Sequence, residues 1–168
     1  RKARELFHAT AKEMIPDKPS QKVDSWISKL GDEAQYNIPS YTECYLAENL
    51  LREYIRDKKM PLSDEAKREA AKWKKREQQV KANANIAYDV RQSKEELQYL
   101  SMDDLSYLVD KPTNPTKELS IARDAKVYKP VRDAVAHTAL ITDNAKSQLG
   151  IVFNNIKARL KILLEENS

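Results

Sequence analysis

With 168 residues, the chain is long enough for one substantial hydrophobic core, or for a core domain with an appendage. Charged residues reach 33% against 40% apolar, and the two glycines, Gly31 and Gly150, are too few and too far apart for a P-loop or a Rossmann phosphate turn. The net charge of +4 is compatible with an acidic partner such as RNA but does not require one, because acidic residues nearly match the basic ones.

Cys44 is the lone cysteine, which rules out an intrachain disulfide and argues against a cysteine-built zinc site. No metal or cofactor is expected, and a reducing, cytoplasmic setting is the simpler expectation. No apolar run reaches the ~18 residues of a membrane span, so no membrane association is expected. The chain opens at Arg1 within a stretch that already reads as helix, which suggests a module of a longer parent protein.

Residues 1–15 carry Leu6, Phe7, Ala9, Met14 and Ile15 at helical spacing, and Pro16 and Pro19 end that helix. His8 lies on it and is assigned no role. A short helix over residues 23–30 is predicted to bury Val23, Trp26, Ile27 and Leu30 and to stop at Gly31. After a loop over 32–39, Ser40 is predicted to cap a helix with the stripe Tyr41, Cys44, Tyr45, Leu50, Leu51, Tyr54 and Ile55. Pro61 marks the best internal boundary, dividing an N-terminal helical extension or connector (1–60) from a bundle over 63–168.

Ser63 opens a long charged helix predicted to run to Gln92. Within it, Lys72, Lys74, Lys75 and Arg76 surround Trp73. The patch is read either as a phosphate-binding, base-stacking surface or as a solvated face with Trp73 turned inward. Ser93 and Glu96 have capping-box spacing and predict a break or a new start there. Leu97, Leu100, Leu105, Leu108 and Val109 supply the core, and Ser101 before Asp103 and Asp104 reads as a helix start. Pro112 and Pro115 flank a loop, and Thr116 opens a helix that Pro130 must kink or restart. Thr142 caps a last helix with the stripe Leu149, Val152, Phe153, Ile156, Leu160, Leu163 and Leu164. No strand or repeat is read, and the fold class is all-α, a four- or five-helix bundle.

The segment KPVRDAVAHTAL, residues 129–140, sets Arg132 and His137 among apolar neighbours. One reading is structural. A histidine near a helix C-terminus is favoured by the dipole, and Arg132 would pair with a carboxylate such as Asp110 or Asp124. The other reading is a site, since polar groups in an apolar setting cost free energy unless paired. Five residues at about 100° each put the two side chains roughly 140° apart. Two copies of the helix meeting near a twofold axis would bring both groups into one cleft.

RDAVAH at residues 132–137 resembles the motif of HEPN domains, in which four to six residues separate an arginine from a following histidine. The residue after the arginine is commonly polar there, as Asp133 is here. YLSMDDLSYLV is similar to an earlier helix of several HEPN branches, and residues 142–164 to the closing helix. The resemblance covers residues 63–168. It implies a homodimer with a composite interface site and metal-independent endoribonuclease activity. Members act in toxin–antitoxin, CRISPR-associated and antiviral systems, whereas others lack the motif and only bind nucleotides or RNA.

The residue types suit that chemistry. Imidazole titrates near neutrality, so His137 is the natural general acid or base at the ribose 2′-hydroxyl or the leaving 5′-oxygen. Arg132 offers a permanently cationic fork to an anionic phosphorane. Asp133 would orient one of them or hold the partner chain. Lys126, Tyr128 and Lys129 precede the motif and are the expected RNA contacts, with Tyr128 equally readable as core. The rival reading is a non-catalytic helical module for binding RNA or protein, or for dimerisation.

Overall fold

Helix-favouring residues dominate the chain, and every regular element among the described residues is helical. The computed structural model describes residues 19–110 and 120–166. These form α1 (Pro19–Asp57), α2 (Asp64–Asn83), a 3-10 turn (Glu96–Tyr99), α3 (Met102–Val109), α4 (Ile121–Ala136) and α5 (Asp143–Glu166). The expected helical bundle is therefore what the chain builds. The predicted first helix with His8, the Pro112–Pro115 loop and the start at Thr116 lie outside the described residues. None of the described helices is long and apolar enough to cross a membrane.

The chain divides into two units between Tyr36 and Asn37, and residues on both sides of Pro61 share the second. The reason is burial. Cys44, Ala47, Leu51, Tyr54 and Ile55 join the same buried cluster as the helices that follow Pro61. Within the first unit, Val23, Trp26, Ile27 and Leu30 are 46–63% exposed rather than buried. Gly31 does not stop the helix, and an added Cβ there would meet nothing within 4 Å. The expected 32–39 loop and Ser40 cap are likewise replaced by continuous helix, with Pro39 inside it. Ser40 is buried, and its hydroxyl has no hydrogen-bond partner among the described residues.

In the second unit, α4 packs on α3 and α5, while α2 lies against the 3-10 turn. Leu51, Leu105, Ile121, Leu149 and Ile156 are all but sealed from solvent, each such burial contributing roughly 1.5–3 kcal/mol. Several predicted starts hold. Ser63 Oγ accepts the Ala66 N–H at 3.1 Å, and Thr142 Oγ1 accepts that of Ala145 at 3.2 Å. Ser101 and Asp104 form a reciprocal capping box. Pro130 does not restart the chain, because α4 runs through it. Asp110 closes the bundle through a buried pair with Arg159 (3.2 Å) and also accepts the Ile121 N–H at 3.2 Å.

Three helices end alike. After α1, α2 and α4 the chain enters the left-handed region at Lys59 (φ 49), Asn85 (φ 53) and Thr138 (φ 58). Paired backbone bonds close each end, for example Thr138 N–H to Val135 O and Ala139 N–H to Ala134 O, both at 3.0 Å. This is the Schellman arrangement, built here without the usual glycine. α2 therefore stops at Asn83, well before the predicted Gln92.

Candidate functional site

Glu48 is an acidic residue inside the apolar stripe that α1 turns toward the core. Its side chain is 14% exposed and gathers three donors. Oε1 accepts the Tyr128 hydroxyl at 3.1 Å and the Arg132 Nε–H at 3.2 Å, while Oε2 accepts from Arg52 at 3.0 Å. Arg52 in turn donates to the Leu97 and Leu100 carbonyls, tying the 3-10 turn to α1.

Arg132 is thereby aimed from α4 toward α1, with its side chain still 44% exposed. Asp133 takes a second contact from it at 3.4 Å. Burial works to lower the Arg132 pKa, but Glu48, Tyr128 and Asp133 outweigh it and the net direction is upward. The guanidinium stays a cation. Asp110 and Asp124, the partners expected for a structural arginine, are engaged by Arg159 and Asn155 instead.

Tyr128 is buried, at 1% exposed, so the core reading applies and its ring offers no face to a base. Burial, followed by the charge of Glu48, raises its pKa and keeps the hydroxyl a donor to Glu48 and to the Cys44 carbonyl. Cys44 beside it is pushed up to about 11, chiefly by burial. A thiol held protonated in this way is no nucleophile.

His137 is the C-terminal cap of α4, and its side chain is exposed. Its N–H donates to the Asp133 carbonyl at 3.0 Å, and Thr138 Oγ1 donates to its carbonyl at 2.7 Å. A β-branched residue in the left-handed region is strained by about 1–2 kcal/mol, and that strain sits directly after the imidazole. Asn37 secures the following loop from α1, donating to the Ala139 carbonyl at 2.7 Å and accepting the Ile141 N–H at 3.4 Å. Arg132 and His137 thus share one helix end, each with its own partners and neither bonded to the other.

Lys129 and Asp103 face each other at 3.5 Å beside a small cavity of about 70 Å³ that Arg132 and Asp133 also line. Lys126 is exposed on the same helix. A larger groove of about 600 Å³ runs between Tyr41 and Tyr45 on α1, the 90–93 loop, and Arg132, Val135 and Ala136 on α4. Its α4 lining includes Ala136 but not His137. Trp73 is 40% exposed, not turned inward, and carries Lys72 and Arg76 over its ring at 5.7 and 5.3 Å. Among the described residues, no group of three or more His, Cys, Asp or Glu stands where it could hold a metal ion.

Sequence reasoning missed Glu48 and Asn37. For Glu48 a signal existed, since a carboxylate one turn from Cys44 and from Arg52 interrupts an otherwise apolar stripe. Asn37 had none, because its partners lie about a hundred residues away. No protein-family model, curated protein or solved structure matches the chain.

Proposed function

We propose that the chain is a metal-independent endoribonuclease module of the HEPN type, acting as a homodimer. One observation carries the reading. Arg132, held by Glu48 yet open to solvent, lines an open groove, and an exposed His137 caps the same end of α4. A permanent cation and an imidazole able to pass a proton are what phosphodiester transfer without metal requires.

In this reading His137 moves the proton of the 2′-hydroxyl or of the leaving 5′-oxygen. Arg132 stabilises the charge that develops on the phosphorane, and Glu48 and Asp133 hold it in position. The second protomer supplies the same pair across the twofold axis. The products are a 2′,3′-cyclic phosphate and a 5′-hydroxyl end. The resemblance of RDAVAH to the HEPN motif further supports a role as effector in a toxin or antiviral defence system.

A non-catalytic binding module is the second reading, favoured by the exposed Val23, Trp26, Ile27 and Leu30 on α1. Incubating the chain with RNA in EDTA separates the two. Cleavage that falls about 10²–10⁴-fold in His137→Ala and Arg132→Ala, with folding and dimerisation retained, supports the nuclease. Binding without cleavage supports the module, and undiminished cleavage in both variants rejects the assignment of these residues.

A further inference from the structure

The nuclease reading leaves unexplained the far end of the 600 Å³ groove, where Tyr41 and Tyr45 stand one turn apart on α1. Buried on α1, these rings would be ordinary core. Instead they are 62% and 58% exposed, with centroids 6.4 Å apart and planes tilted by 35°. Large aromatic rings left in water on a groove wall are apolar surface awaiting cover.

The rest of the lining narrows what that cover is. Its charged residues are Arg52, Arg91, Arg132 and Glu48; Arg52 is buried against Glu48, which leaves Arg91 and Arg132 as the half-exposed cations of the lining. Arg91 already stacks its guanidinium 4.7 Å from the Tyr99 ring while bonding Glu77 and the Gln98 carbonyl, so it is fixed at the groove edge. Gln92 and Gln98 add amide donors and acceptors. A wall of aromatic faces opposite arginines and amides matches an unpaired nucleotide, whose base stacks while its phosphate meets the cations.

Helix geometry sets the register. Tyr41 and Glu48 are seven residues apart, about 10 Å along the axis. A base stacked on the tyrosines therefore leaves its strand within a nucleotide or two of Arg132. A base-paired duplex cannot offer its faces to these rings.

We infer that Tyr41 and Tyr45 form a base-stacking subsite for single-stranded RNA that feeds the strand toward Arg132. The inference rests on the RNA-directed reading of this face, but not on catalysis. The test is binding of a fluorescein-labelled single-stranded oligoadenylate of about 12 nucleotides to the full chain carrying His137→Ala, so that cleavage plays no part. A duplex of the same length serves as comparator.

The expected result is preference for the single strand, with at least about fivefold weaker binding in Tyr41→Ala or Tyr45→Ala and near-normal binding in the phenylalanine variants. Both alanine variants should fold, because the side chains are exposed and alanine favours helix. Unchanged binding in the alanine variants, or equal affinity for duplex, overturns the subsite and leaves the nuclease reading intact. If the alanine variants turn monomeric where the parent is a dimer, the tyrosines belong to a subunit contact and the subsite is overturned. Stack-dependent binding in a chain that never cuts RNA would uphold the subsite and remove the nuclease.

Discussion

The Oε1 atom of Glu48 on α1 accepts the Nε–H of Arg132 on α4 at 3.2 Å, joining residues 84 apart in the chain. Glu48→Gln keeps an acceptor but removes the charge. RNA cleavage should fall about tenfold or more, in kcat rather than KM, with thermal stability little changed. Glu48→Ala also strips a partner from the Tyr128 hydroxyl and should cost about 1–3 kcal/mol of stability. Wild-type turnover in Glu48→Gln would mean that Arg132 needs no anionic support.

Alkaline pH probes the same neighbourhood. Cys44 titrates near 11 when folded against an ordinary 9.0, so its thiol form is favoured by the folded state. That contribution is complete below about pH 9 and is lost as pH rises through about 11. Tyr128, also shifted upward by burial, acts with the same sign above about pH 10. Urea midpoints measured between pH 8 and 10.5 should therefore decline, and Cys44→Ala should flatten the first part of the decline. In the folded protein the thiol should also resist alkylation at pH 8.

Asp110 and Arg159 form a pair that is almost completely buried. Asp110→Ala leaves a buried guanidinium without its counter-charge and frees the Ile121 N–H, so a loss of about 3–5 kcal/mol is expected from urea unfolding. The double variant Asp110→Ala, Arg159→Met should recover a large part of it. If the single variant unfolds at the parental midpoint, the pair does not lock α3, α4 and α5 together.

Glycine placement offers a test by exchange. Gly31→Ala puts a methyl into open space inside α1 and should slow amide exchange around it, a gain of about 0.5–1 kcal/mol. Lys59→Gly and Thr138→Gly relieve left-handed backbone and should each raise stability by about 1 kcal/mol. Thr138→Gly should at the same time slow RNA cleavage, because the turn that carries His137 becomes looser. Equal cleavage with higher stability would make that strain incidental to the chemistry.

Those same positions explain where the sequence could be read and where it misled. Ser63, Ser101 and Thr142 were legible because capping is a local exchange between a side chain and an N–H three residues on. The α5 stripe was legible from its period. Gly31 misled because glycine usually ends helices, whereas here the endings fall on Lys59, Asn85 and Thr138, two of which carry no such signal. Pro39 misled as well, since a proline is expected to break a helix and α1 runs through it. The motif Arg132–His137 could be found by spacing, and Glu48 stood out as a carboxylate in an apolar stripe, but the contact between Glu48 and Arg132 could not be read. That contact depends on how α1 and α4 pack, and no window of sequence contains both.

Thr138 has a further consequence. His137 donates its N–H to Asp133, receives the threonine hydroxyl on its carbonyl, and is followed by a loop that Asn37 grips. With its main chain anchored on both sides, the imidazole keeps only χ1 and χ2 to explore. It can swing about those two bonds, but it cannot drift away.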